Sequence, residues 1–300
     1  MPAKYFLCPD EQQIEIENCL QPKGCRMSQR CATVPYLRLI GFDRKWRGVS
    51  PSSAGTGPRL LYLKATTDYT IAPDSRAWAA FGTSTHEKVG MHRYSHNVFS
   101  EEPLSDEETR GITDVLEKDE FAPGYILTDY KTFGSYKVGK CLGMVSTDKP
   151  VLDEKGNKVL LKSGKNKGNP KTIKAYTIDP TKADLKNETL QLNRYRILFA
   201  WYGFQVSRMQ LQVLCRDGGT YIAKSRGIDR NLYIIPVPFM PDVDVLNYYK
   251  ELKLEVQQAF DTGYIRKCNK EESWEGRRCT GYCEVAEACT KMENQTKKGE

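Results

Sequence analysis

The clearest periodicity in the chain lies over residues 242–261, where Val245, Tyr249, Leu252, Val256 and Phe260 recur at spacings of three and four. Such a stripe is the buried face of a long amphipathic helix. A second helix is predicted over about 188–203, and a third over 76–99. Between the first two the period changes. In Met209-Gln210-Leu211-Gln212-Val213 apolar and polar residues alternate, as on a half-buried strand. Two more strand-like runs lie upstream, one over 110–117 and one over 124–131. The second is rich in aromatic and β-branched residues and is opened by Pro123-Gly124. Ser50-Pro51-Ser52-Ser53 reads as a helix start, with Ser or Pro supplying the cap and the first turn. These elements predict an α/β fold with a central mixed sheet flanked by helices.

Residues 146–187 break the pattern. Lysines stand at 149, 155, 158, 162, 165, 167, 171 and 174 among Gly, Asn and Pro. The segment reads as a hairpin or a flexible insertion, and as a solvated loop or an arm that contacts phosphates. Three parts are therefore expected: a lead segment over 1–48, a core over 49–267 that carries the 146–187 insertion, and a tail over 268–300.

Composition narrows the class. No run approaches the roughly 18 uninterrupted apolar residues of a membrane span, so no membrane partner is expected. Residues 1–10 lack a long apolar core, so no secretory signal is read and a cytoplasmic location is expected. The net charge of +7 permits a polyanionic partner without demanding one. The ten cysteines say more. Four lie at 8, 19, 25 and 31 and four at 268, 279, 283 and 289, while Cys141 and Cys215 stand alone. Disulfides are rare in the cytosol, so the two quartets read as metal sites and the two single cysteines as core residues.

Candidate chemistry centres on Asp114, Asp129 and Lys131. Neighbouring strands can aim Asp114 and Asp129 at one point, and Lys131, two residues after Asp129, shares its face. Two carboxylates with open coordination positions suit Mg²⁺ or Mn²⁺. A nearby ammonium can orient water and offset charge at a phosphate. By itself an Asp-x-Lys pair is a common surface ion pair. Here it falls in order with Gly82-Thr83-Ser84-Thr85-His86 and Gly111-Ile112-Thr113-Asp114 before it and Gln191-Leu192-Asn193-Arg194-Tyr195 after it. Upstream stands Ser50-Pro51-Ser52-Ser53, leading to Pro58-Arg59-Leu60-Leu61-Tyr62-Leu63. Glu101 and Glu102 are further carboxylates close enough in sequence to lie near such a site without ligating.

Together these motifs resemble the RecB-like branch of the PD-(D/E)xK nucleases, a group that includes CRISPR-associated and phage exonucleases. The resemblance covers roughly residues 50–289. It implies a restriction-endonuclease-like core and metal-dependent hydrolysis of DNA, as an exonuclease in recombination, repair or phage DNA processing. It also implies that His86, Asp114, Asp129 and the Tyr130 carbonyl hold the catalytic metal. Lys131 would be the catalytic cation, and Gln191 and Tyr195 would steady the site and the DNA backbone. Lys155, Lys158, Lys162, Lys165, Lys167 and Arg59 are the expected DNA contacts.

The cysteines after the last helix resemble the iron–sulfur members of that group. Cys268, Cys279, Cys283 and Cys289 could hold a [4Fe–4S] cluster or zinc, and spacing does not separate the two. One departure stands out. The group's opening motif carries a cysteine just before Pro-Arg, and here that position is Gly57. The fourth ligand then comes from Cys268 or from Cys31. If Cys268 serves, Cys8, Cys19, Cys25 and Cys31 are free for a second metal, a structural zinc.

Overall fold

The computed structural model describes residues 3–27, 29–42, 46–92 and 97–296. In chain order the strands and helices are β1 (Tyr5–Leu7), β2 (Gln13–Glu15), α1 (Ile16–Leu20), α2 (Val34–Gly41), α3 (Pro58–Thr66), β3 (Thr70–Ile71), α4 (Ala77–Gly90), β4 (Val98–Ser105), β5 (Arg110–Lys118) and β6 (Tyr125–Phe133). Then follow α5 (Ser135–Leu142), β7 (Met144–Pro150), β8 (Thr172–Ile178), α6 (Lys186–Trp201), β9 (Val206–Cys215), α7 (Tyr221–Lys224), β10 (Leu232–Val237), α8 (Asp242–Thr262), α9 (Arg277–Gly281) and α10 (Ala286–Thr296). This is a mixed α/β protein. Among the described residues no helix is long and apolar enough to cross a membrane.

The chain forms two compact units. Unit 1 comprises Met1–Leu127, Asn187–Ser207 and Phe239–Glu300, and unit 2 comprises Thr128–Lys186 and Arg208–Pro238. Strand β6 passes from the first into the second at Leu127–Thr128.

In unit 1 the lead segment builds a small mixed sheet, in which β1 is antiparallel to β2 and parallel to β3. Phe6, Leu37 and Ile71, each 1% exposed, form its interior with Leu60 and Leu63 of α3 and Val285 of the tail. Both cysteine-rich ends of the chain thus share one core. A second core gathers Val49, Ile197, Val245, Tyr249 and Leu252. The apolar stripe of α8 is buried there as its spacing predicts, each large side chain contributing about 1.5–3 kcal/mol. Phe260, at the end of the stripe, is 38% exposed, and its ring packs instead on Trp46 (5.1 Å) and Tyr62 (5.4 Å).

Helix α6 is buried on several sides, and its polar residues are engaged. The Asn193 side chain donates to the Thr189 carbonyl (2.9 Å) and accepts from the Met240 N–H (2.9 Å). The Arg194 side chain is fully buried. It pairs with Asp106 and donates to Thr109 Oγ1 (2.9 Å), which fastens α6 to the turn between β4 and β5. Burial acts to raise the Asp106 pKa, but the Thr109 N–H and the Arg194 guanidinium outweigh it and hold the carboxyl below its ordinary range.

Two expectations change. The predicted helix over 76–99 ends at Gly90, and Val98 and Phe99 already belong to β4. Ser50-Pro51-Ser52-Ser53 forms only a 3₁₀ turn with a reciprocal Ser50–Ser53 capping box; the helix itself begins at Pro58.

Unit 2 holds the rest of β6 with β9 and β10, ordered β10-β9-β6, together with α5, α7 and the β7–β8 hairpin. Met209, Leu211 and Val213 of β9 are buried and alternate with half-buried glutamines, as their spacing predicts. The lysine-rich insertion is an antiparallel hairpin, running from Met144 opposite Ile178 to Pro150 opposite Thr172.

Candidate functional site

Three side chains with metal-ligating atoms meet in unit 1. His86 comes from α4, Glu101 from β4 and Asp114 from β5. One ligand atom from each lies within 4.8 Å of the others. His86 Nδ1 is 3.2 Å from Asp114 Oδ1. The β4–β5 register explains the carboxylate pair. Ser100 faces Val115 and Glu102 faces Thr113, so Glu101 lies across the strand pair beside Asp114. Glu101 adopts a left-handed backbone (φ 58°), a conformation that costs a non-glycine residue about 1–3 kcal/mol. Gly90, at the end of α4, leaves room for it: a Cβ there would lie 3.1 Å from Glu101 Cγ.

An imidazole and two carboxylates form a donor set that could hold a divalent metal ion, without selecting which one. Glu101 is the residue that the sequence reading left outside the ligand set. The signal for it was the register of a β4–β5 hairpin, which was hidden while residues up to 99 were read as helix.

Asp129, Tyr130 and Lys131 lie in the part of β6 that belongs to unit 2. The strand runs on to Phe133. Lys131 Nζ is 2.6 Å from Asp129 Oδ2, so the two side chains do share a face. Asp129 is buried and Lys131 half-buried.

Gln191 and Tyr195 lie on α6 in unit 1. Tyr195 is 3% exposed, and its hydroxyl donates to the Ile112 carbonyl (2.7 Å), two residues before Asp114. This contact explains Gly111: a Cβ there would come within 2.6 Å of the Tyr195 hydroxyl and 2.9 Å of Pro51 Cδ. Tyr195 therefore braces β5. Buried as it is, it does not present its hydroxyl to a DNA backbone as expected.

Arg59 also departs from expectation. It is 7% exposed and donates to the carbonyls of Ile265 (2.7 Å) and Arg266 (3.1 Å), to Glu293 (3.2 Å) and to Cys289 Sγ (3.5 Å). Its side chain ties α3 to the tail and is not a surface contact for DNA. Lys155, Lys158, Lys162, Lys165 and Lys167 are all exposed on the hairpin.

Among the described residues neither cysteine quartet brings three thiols within 4.8 Å of one another. Cys8, Cys19, Cys25 and Cys31 line one small cavity with Met27 and Leu37. Arg30 fastens the loop around them by donating to the carbonyls of Cys19 and Gln21. Burial is the main cause that raises the Cys8 and Cys19 thiol pKa values. At the other end of the chain, burial is the main cause that raises the Cys268 and Cys283 thiol pKa values. The space beside Gly57 is informative. A Cβ built there would meet Cys268 Sγ at 2.6 Å, so the Cys268 thiol fills the place of a side chain at position 57. Cys31 stands with the N-terminal set. Cys141 and Cys215 are buried, 1% and 7% exposed.

No family model matches this chain. No curated protein matches it either. A solved structure described as "Crystal structure of SSO0001" aligns over 84% of this chain and 89% of its own, at 12% identity and a TM-score of 0.38. A likeness that distant supports no statement about function.

Proposed function

We propose that this chain is a divalent-metal-dependent DNA nuclease with the PD-(D/E)xK core of the RecB-like branch, and that it acts as an exonuclease. The observation that carries this reading is the convergence of His86, Glu101 and Asp114. Four ordered motifs, written into the chain at Gly82/His86, Gly111/Asp114, Asp129/Lys131 and Gln191/Tyr195, supply the rest.

His86, Glu101 and Asp114 would hold Mg²⁺ or Mn²⁺, joined on the family pattern by Asp129 and the Tyr130 carbonyl. When bound, such an ion supplies Lewis-acid stabilisation of phosphoryl charge. The Lys131 ammonium orients the attacking water and offsets charge as the water oxygen bonds to phosphorus and the P–O bond to the departing sugar breaks. Asp129 positions that ammonium. Tyr195 keeps β5, and with it Asp114, in place.

The C-terminal quartet belongs to the same proposal. Cys268, Cys279, Cys283 and Cys289 hold one metal centre, a [4Fe–4S] cluster with zinc as the alternative, and Cys268 replaces the opening-motif cysteine that Gly57 lacks. Cys8, Cys19, Cys25 and Cys31 hold a structural zinc.

The test is digestion of 5′- and 3′-labelled single- and double-stranded DNA with Mg²⁺, with Mn²⁺ and with chelator. Metal-dependent release of nucleotides from an end supports the reading. Tight binding without cleavage in any metal would instead show a DNA-binding protein that keeps the fold.

A further inference from the structure

In unit 2 the base of the β7–β8 hairpin, helix α5 and the turn after α7 line an open groove of about 330 Å³. That volume falls within the range of small-ligand sites, roughly 300–1,000 Å³. Lys140, Lys182 and Arg226 reach its wall, and no carboxylate is among the described residues that line it. Two acids stand just behind: Asp184, 3.7 Å from Lys140, and Asp217, 3.8 Å from Arg226. Asp217 accepts from the Ser135 N–H (2.6 Å) and hydroxyl (2.7 Å), so this amide at the start of α5 is already used. Anion binding there rests on the three cationic side chains.

The groove has a fixed frame. Arg226 Nη1 donates to Ser135 Oγ (2.8 Å), which orients the guanidinium in advance and leaves other donors of its planar fork for a ligand. The Tyr176 hydroxyl donates to the Ser225 carbonyl. Gly227 (φ 76°) lets the backbone lie against the Tyr176 ring, where a Cβ would come within 2.6 Å. Tyr136 also lines the groove and is 57% exposed, with Lys140 Nζ 5.4 Å from its ring centre. From this groove β7 and β8 continue into the arm that carries the exposed lysines.

We propose that the groove holds one nucleotide of a single-stranded nucleic acid that runs along the hairpin, its phosphate between Lys182 and Arg226 and its base against Tyr136. Cations combined with an aromatic face are the elements of single-strand binding. The choice of a nucleic-acid strand rests on the nuclease reading above; the cationic lining does not.

The test uses the full chain in chelator, so that no cleavage occurs. Fluorescence anisotropy of a labelled oligothymidylate is followed over a salt series. Lys182→Gln combined with Arg226→Gln is expected to weaken binding about tenfold or more and to reduce the log–log salt slope by about 0.7, from the one phosphate that both side chains hold. Tyr136→Ala is expected to weaken binding about tenfold with the slope unchanged. Lys182→Gln alone changes one exposed side chain and keeps the test valid if the double variant misfolds; it is expected to weaken binding severalfold and to lower the slope by no more than about 0.7. Thymidine monophosphate and inorganic phosphate are added as competitors, and the strand reading requires that neither displaces the oligonucleotide at equal concentration. Displacement by either would overturn it in favour of a free-phosphate site. Unchanged affinity and slope in folded variants, while wild type binds and cleaves DNA, would overturn this inference alone. A wild-type protein that binds no oligonucleotide would overturn it together with the nuclease reading.

Discussion

Asp106→Ala removes the partner of the most deeply buried charge in unit 1. Arg194 has a fully buried side chain, and Asp106 itself is 10% exposed at its side chain. Truncating one member of such a pair leaves a cation without compensation and costs about 3–5 kcal/mol. The Thr109 N–H also loses its acceptor, Asp106 Oδ1, at 2.7 Å. For a chain of this size each kcal/mol shifts Tm by about 2–4 °C, so a fall on the order of 10 °C is expected. Calorimetry or circular dichroism at neutral pH would measure it. The pH dependence has a definite sign. Because Asp106 is held below its ordinary range in the fold, its contribution is complete above the unfolded carboxylate pKa of about 4 and fades as pH falls through the folded value. The gap between wild type and Asp106→Ala should therefore narrow in acid. A double variant, Asp106→Leu with Arg194→Met, should recover much of the loss, since no charge is left buried. Asp106→Ala within about 1 kcal/mol of wild type would refute the reasoning, because the pair would then carry no more than an exposed one.

Three other outcomes are expected. Glu101→Gln should reduce Mn²⁺-supported cleavage by at least about tenfold and weaken Mn²⁺ binding measured by calorimetry, since it removes a ligand charge beside Asp114; unchanged binding would remove Glu101 from the ligand set. Cys268→Ala should strip the C-terminal metal, read by elemental analysis and by absorbance if the centre is iron–sulfur; adding Gly57→Cys should restore part of it, provided that the Glu272 carboxylate, 2.9 Å from the new Cβ, gives way. Cys19→Ser should release one zinc and lower Tm while leaving the C-terminal centre intact, because thiolate–zinc bonding contributes folding free energy; loss of both metals together would show a single shared site.

Local pattern made some of this molecule legible and left some of it hidden. The stripe Val245, Tyr249, Leu252 and Val256 reports a helix because every third or fourth residue is buried along α8. Met209, Leu211 and Val213 report β9 because the sheet buries alternate residues. By contrast β4 carries Glu101, Glu102 and Pro103, poor strand formers, and its conformation comes from pairing with β5. Gly90, with Lys88 just before it, is a helix-stop signal, and reading the helix on past it to residue 99 left Glu101 outside the expected ligands. The lead segment's strands are two or three residues long, and β1 pairs with Thr70–Ile71, far along the chain. Arg59 looked like a basic surface residue because a sequence does not show that its partners are the carbonyls of Ile265 and Arg266. The lysine hairpin was visible as composition, but not the groove at its base, which needs Ser135, Tyr176 and Arg226 brought together from three separate stretches.

The most direct test of the nuclease reading is a Mn²⁺ time course on end-labelled DNA with wild type and Asp114→Ala side by side, both checked for folding by circular dichroism. The account requires wild type to degrade the label only when metal is present, and Asp114→Ala to lose that activity by several orders of magnitude while staying folded. Removing a group that acts as part of a unit typically has such an effect. Wild-type-like degradation by Asp114→Ala, or degradation that persists in chelator, would contradict it.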